Sequence, residues 1–88
     1  MVIKMNNKVL VLIYVPYLSN EYEVLIPTNE RIGKIIKKLK KMFYDLSDAN
    51  FDVQKEYNLI DSETGNAYEY GSIVRDTNIS YASKLIFV

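Results

Sequence analysis

The sequence predicts an α+β fold, a mixed sheet wrapped on one helix. Two observations lead there. Residues 30–46 carry Ile32, Ile35, Ile36, Leu39, Met42, Phe43 and Leu46 at spacings of three and four, which lays one apolar stripe along a helix of about four and a half turns. The remaining apolar segments are short, rich in β-branched and aromatic residues, and alternating, the pattern of strands. A helix with one apolar face needs a partner layer, so the strands are expected to form a sheet around it, in the order β-β-α-β-β-β.

The helix start is marked. Pro27 disfavours helix at Ile26, Thr28 is a candidate N-cap, and Glu30 suits the positive end of the helix dipole. Lysines fill the middle and far half, and Gly33 is the unfavourable interior residue, costing about 1 kcal/mol against alanine. Upstream, residues 1–7 read as a frayed lead, with Met5 as an alternative start. Residues 8–15 are apolar on both alternations, as in a strand at the centre of a sheet. Val9, Val11, Ile13 and Val15 are assigned to the helix side; Leu10, Leu12 and Tyr14 to the other. A hairpin loop follows at 16–20, since Pro16 cannot continue the ladder. Residues 21–26 alternate, with Tyr22, Val24 and Ile26 inward and Glu21, Glu23 and Leu25 outward. After the helix, 47–54 is a polar loop anchored by Phe51 and Val53, and 57–60 a short strand. Residues 61–66 form a turn with Gly65 left-handed, and 67–70 a brief fourth strand. Ile73 and Val74 plug the core before a last strand at 84–88, with Leu85 and Phe87 inward and Ile86 and Val88 outward.

Composition narrows the chemistry. Eighty-eight residues suit one domain over 1–88. Eleven basic residues balance eleven acidic ones, so no global field draws the chain to nucleic acid or anionic lipid. Cysteine and histidine are both absent. That removes disulfides, thiol catalysis, the commonest general base and the commonest transition-metal ligand. No apolar run approaches the length of a membrane span. Residues 9–15 follow Lys4 and Lys8 in faint imitation of a signal peptide, but seven residues and Pro16-Tyr17 do not make a cleavage region, so the expected location is cytoplasmic.

Asp48, Asn50 and Asp52 imitate the opening of a calcium loop, but Val53 and Leu59 stand where glycine and glutamate are required. Asn78-Ile79-Ser80 spells a glycosylation acceptor without a secretory signal. Asp61 with Glu63, or Asp45 with Asp48, could serve as an acid–base pair, but neither has an evident neighbour to shift its pKa. No serine has a histidine or a lysine signature to activate it. No cofactor is implied, and the chain is read as a non-enzyme. Lys34, Lys37, Lys38 and Lys41, joined by Lys40, form a basic stripe. It is read first as a solvated helix face, and otherwise as a surface for RNA, an acidic membrane or an acidic partner.

The stretch from Val74 through Arg75, Asp76, Thr77, Asn78, Ile79, Ser80, Tyr81, Ala82, Ser83, Lys84, Leu85, Ile86 and Phe87 to Val88 resembles ubiquitin's Leu-Ser-Asp-Tyr-Asn-Ile and the Ser-Thr-Leu-His-Leu-Val after it. Asp76, Asn78, Ile79, Ser83, Leu85 and Val88 match without gaps. Ile32, Ile35 and Leu39 fall where ubiquitin's helix buries Ile, Val and Ile, and Tyr68 and Gly71 precede Val74 at ubiquitin's spacings. The resemblance covers residues 8–88 and implies a β-grasp. Ubiquitin-like modifiers and sulfur carriers end in a flexible Gly-Gly; here Val88 reads as part of a strand, so the resemblance implies a member that is not conjugated. The alternative is a modifier or carrier with a truncated tail. The Pro16-Tyr17 hairpin, Ile26-Pro27 before the helix, and the Asp61-Ser62-Glu63-Thr64-Gly65 turn followed by a tyrosine look like the bacterial YukD/EsaB family, accessory proteins of type VII secretion.

In a β-grasp the first and last strands are neighbours, so the face away from the helix would present Leu10, Leu12, Tyr14, Ile86 and Val88, flanked by Leu25 and Ile60, with Leu18 at the hairpin tip. Ubiquitin's recognition patch resembles Leu18, Ile60 and Val88 in position. These residues are the candidate protein-binding face, for a protein partner, a membrane-embedded secretion component among the options, or for self-association. The competing expectation is that residues 1–7 or tyrosine rings cover it.

Overall fold

The computed structural model describes residues 7–88; the frayed lead, Met5 as a start, and any cover from 1–6 lie outside the described residues. Strand β1 (Lys8–Val15) turns through a single 3-10 turn (Pro16–Leu18) into β2 (Asn20–Pro27). Helix α1 (Ile32–Leu46) follows, then β3 (Leu59–Asp61), a second 3-10 turn (Val74–Asp76) and β4 (Ser83–Phe87). Among the described residues the sheet has four strands in the order β2-β1-β4-β3. β1 pairs antiparallel with β2 and parallel with β4, and β3 runs antiparallel to β4. This is the β-grasp, with β1 and β4 at its centre.

The inward residues of β1 form the floor of the core: Val11, Ile13 and Val15 are fully buried, and Val9 packs beside them. α1 lays Ile32, Ile35, Ile36, Leu39 and Phe43 on that floor, each worth about 1.5–3 kcal/mol of transfer. Val24, Ile26, Leu85, Phe87 and Val74 complete it. One end is aromatic. The Tyr57 ring lies 4.8 Å from Phe87 at an interplanar angle of 6°, and 4.9 Å from Phe51. Phe43 meets Tyr22, Phe51 and Phe87 at 5.1, 5.9 and 5.4 Å.

Three expectations are corrected. Residues 67–70 make no fourth strand before the last. Their contact with β3 is a single bridge, Ile60 to Ala67, with Tyr68 N–H donating to the Leu59 carbonyl. The chain then leaves the sheet edge for the start of α1. There the Ser72 and Tyr70 carbonyls accept from the amides of Ile32 and Gly33 at 2.8 and 2.9 Å. Those bonds satisfy amides that a side-chain cap would otherwise take, so Thr28 is not the N-cap. Arg31 occupies that position without a side-chain capping bond, and the Thr28 hydroxyl donates to the Asn7 carbonyl. Leu46 does not extend the buried stripe; it is 58% exposed. Gly33 is explained by the same crossing, because a Cβ there would stand 3.3 Å from the Tyr70 carbonyl oxygen.

The helix ends in a Schellman arrangement. The Ala49 amide donates to the Tyr44 carbonyl at 2.9 Å and the Asp48 amide to the Asp45 carbonyl at 3.4 Å. Asp48 and Ala49 consequently hold φ of 54° and 66°. Gly65 takes φ 78°, as its turn requires.

Candidate functional site

The sheet's outer face is organised by β1. Its outward residues are Leu10, Leu12 and Tyr14, and the register fixes their neighbours. Leu10 lies opposite Leu25; Leu12 lies between Glu23 and Lys84; Tyr14 lies between Glu21 and Ile86, and Ile86 in turn faces Ile60. The apolar path is therefore bent: Leu25 to Leu10, along β1 through Leu12 to Tyr14, then across to Ile86 and Ile60. Leu25, Tyr14 and Val88 are exposed, while Leu10, Leu12, Ile60 and Ile86 are half-buried. Glu23 and Lys84 bracket the narrow middle with opposite charges.

One candidate stands apart. Leu18 is half-buried and packs on the core. Its neighbour Tyr17 turns edge-on to Phe51 at 5.3 Å, which draws the hairpin tip toward the 47–57 loop. Val88 continues the ladder beyond β4, exchanging amide and carbonyl bonds with Asn58 at 3.1 and 2.9 Å.

The lysine stripe divides. Lys38 reaches Glu30 with bonds of 2.8 and 2.9 Å, and Lys41 lies 3.5 Å from Asp45. The Lys41–Asp45 pair is well exposed and the Lys38–Glu30 pair partly so, and surface pairs of this kind contribute little to stability. Among the described residues, Lys34 and Lys37 form no salt bridge. Lys40, peripheral in the sequence reading, leans toward the Tyr57 ring at 5.9 Å.

The Asp61 carboxylate of the Asp61–Glu63 pair is committed to hydrogen bonds. Asp61 is nearly buried and accepts from Asn78 Nδ2 and from the Glu63 amide, both at 2.9 Å. The Asn78 amide, then the Glu63 N–H, hold the Asp61 carboxyl below the usual carboxylate range. The sequence pattern gave this carboxylate no perturbing neighbour; Asn78, seventeen residues on, supplies it. A carboxylate held in its charged form is the wrong group for a general acid. Burial, with Asp61 nearby, pushes the Tyr68 phenol up to about 12, and its hydroxyl donates to Asn78 Oδ1 at 2.6 Å. The cluster ties the 61–66 turn to the segment carrying Asn78, and the Asn78 amide of the glycosylation-like triplet is occupied there. Among the described residues, no group of three or more His, Cys, Asp or Glu is placed to hold a metal, and no helix is long and apolar enough to cross a membrane.

No protein-family model matches the chain, and no curated protein matches it. Solved structures do. The ubiquitin-like domain of the Mycobacterium tuberculosis type VII secretion system protein ECCD1 is similar at 12% identity, over 92% of this chain and 97% of that one, with a TM-score of 0.72. A chain of the MycP5-free ESX-5 inner membrane complex is similar at 12% identity and a TM-score of 0.69, over 93% of this chain and 21% of that one. A chain of a toluene 4-monooxygenase complex reaches a TM-score of 0.72 at 7% identity, over 91% of this chain and 95% of that one. Identities this low establish the fold alone: a ubiquitin-like β-grasp, whose hosts include both secretion machinery and an enzyme complex.

Proposed function

We propose that the protein is a non-catalytic, non-conjugated ubiquitin-like interaction module that works in the cytoplasm as an accessory component of type VII secretion. It docks a protein partner, a cytosolic segment of a membrane-embedded secretion component, through the outer face of the sheet. The observation that carries this reading is the bent apolar path of Leu25, Leu10, Leu12, Tyr14, Ile86 and Ile60 across all four strands. Monomeric proteins seldom leave contiguous apolar surface of this kind without a use for it, and Glu23 and Lys84 beside Leu12 would set the partner's register. The fold shared with ECCD1 and with the ESX-5 complex supports the choice of partner. The YukD/EsaB-like hairpin, helix lead and turn support the accessory role.

The test is Leu12→Glu combined with Ile86→Glu. Circular dichroism should show an unchanged fold, because both side chains are outward and half-buried. Co-purification with the solubilised secretion complex should be lost; undiminished recovery by the folded variant counts against the face.

A second reading, polyanion binding through Lys34 and Lys37, is favoured by their lack of ion pairs among the described residues. Titration of RNA and acidic vesicles at two salt concentrations separates it, since phosphate contacts weaken steeply with salt. The modifier or carrier reading requires residues after Val88, and reading the gene past that codon decides it.

A further inference from the structure

One flank of α1 borders a hollow. A groove of about 790 Å³ runs between the first turns of the helix and the segments carrying Glu56, Tyr57 and Tyr70. Its floor is Gly33, Ile36, Tyr57 and Tyr70. Its rim is Arg31, Lys34, Lys37 and Lys40, with Glu30 and Glu56. Past Lys37 and Lys40 it opens into a second depression of about 380 Å³ that includes Lys41, Tyr44 and Val53. The volume lies within the ordinary range for binding clefts.

Charge decides what such a groove accepts. The Glu30 carboxylate is taken at both oxygens by Lys38, which leaves Glu56 as the acidic group facing four cations. The whole chain is neutral, yet six of its eleven basic residues fall between 31 and 41. A cleft lined mostly by one sign of charge concentrates its field. Arg31 is already fixed, its Nη1 donating to the Gly71 carbonyl at 2.7 Å, so little freedom remains for it to lose on binding. The lysine stems add apolar wall to the floor.

The shape selects among anions. Tyr57 is 1% exposed and stacked on Phe51 and Phe87, and the Tyr70 hydroxyl is tied to the Tyr57 carbonyl. Tyr57 is therefore closed to a base, and Tyr70, 47% exposed, is one ring where single-stranded RNA binders present a succession of them. A concave cleft also suits a flat bilayer poorly. An apolar floor beneath a cationic rim fits a chain with one bulky apolar side chain between carboxylates.

We propose that this flank of α1 is a second docking site, separate from the sheet face, that takes an acidic peptide segment bearing a leucine or phenylalanine. The apolar side chain enters over Ile36 and Gly33 while carboxylates meet Lys34, Lys37 and Lys40.

The test is amide-resolved NMR of the labelled protein, titrated with a synthetic peptide in which glutamates flank one leucine. Saturable shifts should appear at Gly33, Lys37, Lys40 and Tyr70 and be absent at Leu12 and Ile86. Replacing the glutamates by glutamines should weaken binding about tenfold or more, and replacing the leucine by alanine several-fold. Lys37→Glu with Lys40→Glu, two solvent-facing changes, should cost a similar factor. Equal binding of the glutamine peptide, shifts confined to the sheet face, no saturable shift at about 1 mM peptide, or displacement of the peptide by a lower concentration of RNA would each overturn the proposal.

Discussion

Phe43→Ala should bring the protein to the edge of unfolding, whereas Leu46→Ala should barely register. Both residues belong to the same apolar stripe of the sequence, but Phe43 is fully buried and Leu46 is 58% exposed. Truncating a buried phenylalanine removes its transfer free energy and leaves a cavity, about 3–5 kcal/mol together. The rings of Tyr22, Phe51 and Phe87 all lie within 6 Å of Phe43, and losing three aromatic contacts favours the upper part of that range. A chain of this length is expected to be stable by roughly 4–13 kcal/mol, so the loss is a large share of the total. It corresponds to a fall in melting temperature of about 15–30 °C. Leu46→Ala should stay within about 0.5 kcal/mol of the parent. Urea and thermal unfolding followed by circular dichroism measure both. A Phe43→Ala loss below about 1.5 kcal/mol, or a Leu46→Ala loss of comparable size, would refute the assignment of the helix face that grips the sheet.

Asp48→Gly should raise stability by about 0.5–1 kcal/mol in urea unfolding, because φ 54° suits glycine and a carboxylate is removed from the negative end of the helix. Acid should destabilise the fold partly through Asp61: its folded-state pKa is depressed, so its contribution is complete above the unfolded carboxylate pKa and disappears as pH falls through the folded one. Asn78→Ala should therefore narrow the gap between urea midpoints at neutral and acid pH; an unchanged gap would remove Asn78 as the cause. The Tyr68 phenol is shifted the opposite way, so its contribution is intact below a tyrosine's usual pKa of about 10 and is lost as pH rises toward about 12. Tyr68→Phe should remove the latest phenolate transition from an ultraviolet titration. Gly33→Ala should fail to deliver the roughly 1 kcal/mol that helix propensity promises, since its Cβ would press on a Tyr70 carbonyl held by the Gly33 amide itself.

Local pattern carried much of this structure. Residues 8–15 were legible as β1 because β-branched alternation is a local signal, and Val11, Ile13 and Val15 lie inward as their parity required. The outward set on β1, β2 and β4 follows from the same parity. What escaped depends on contacts distant in sequence. The helix start is capped by carbonyls at 70 and 72, and no motif near Thr28 announces them. That crossing also explains why 67–70 abandons the sheet. Tyr57 reads as a strand residue but closes a triangle of near-parallel rings with Phe51 and Phe87. The groove beside Lys37 and Lys40 was hidden for a related reason: helical spacing gave the lysines, but the opposing wall comes from Glu56, Tyr57 and Tyr70.

The most direct test of the account places a photocrosslinking amino acid at Tyr14 on the sheet face, and separately at Glu63 in the exposed turn, in cells that carry the secretion machinery. Tyr14 lies between Glu21 and Ile86, in the apolar path. An adduct with a membrane-embedded secretion component is expected from position 14 and none from position 63. Adducts from 63 alone, or none from 14 while the folded protein is abundant, would contradict it.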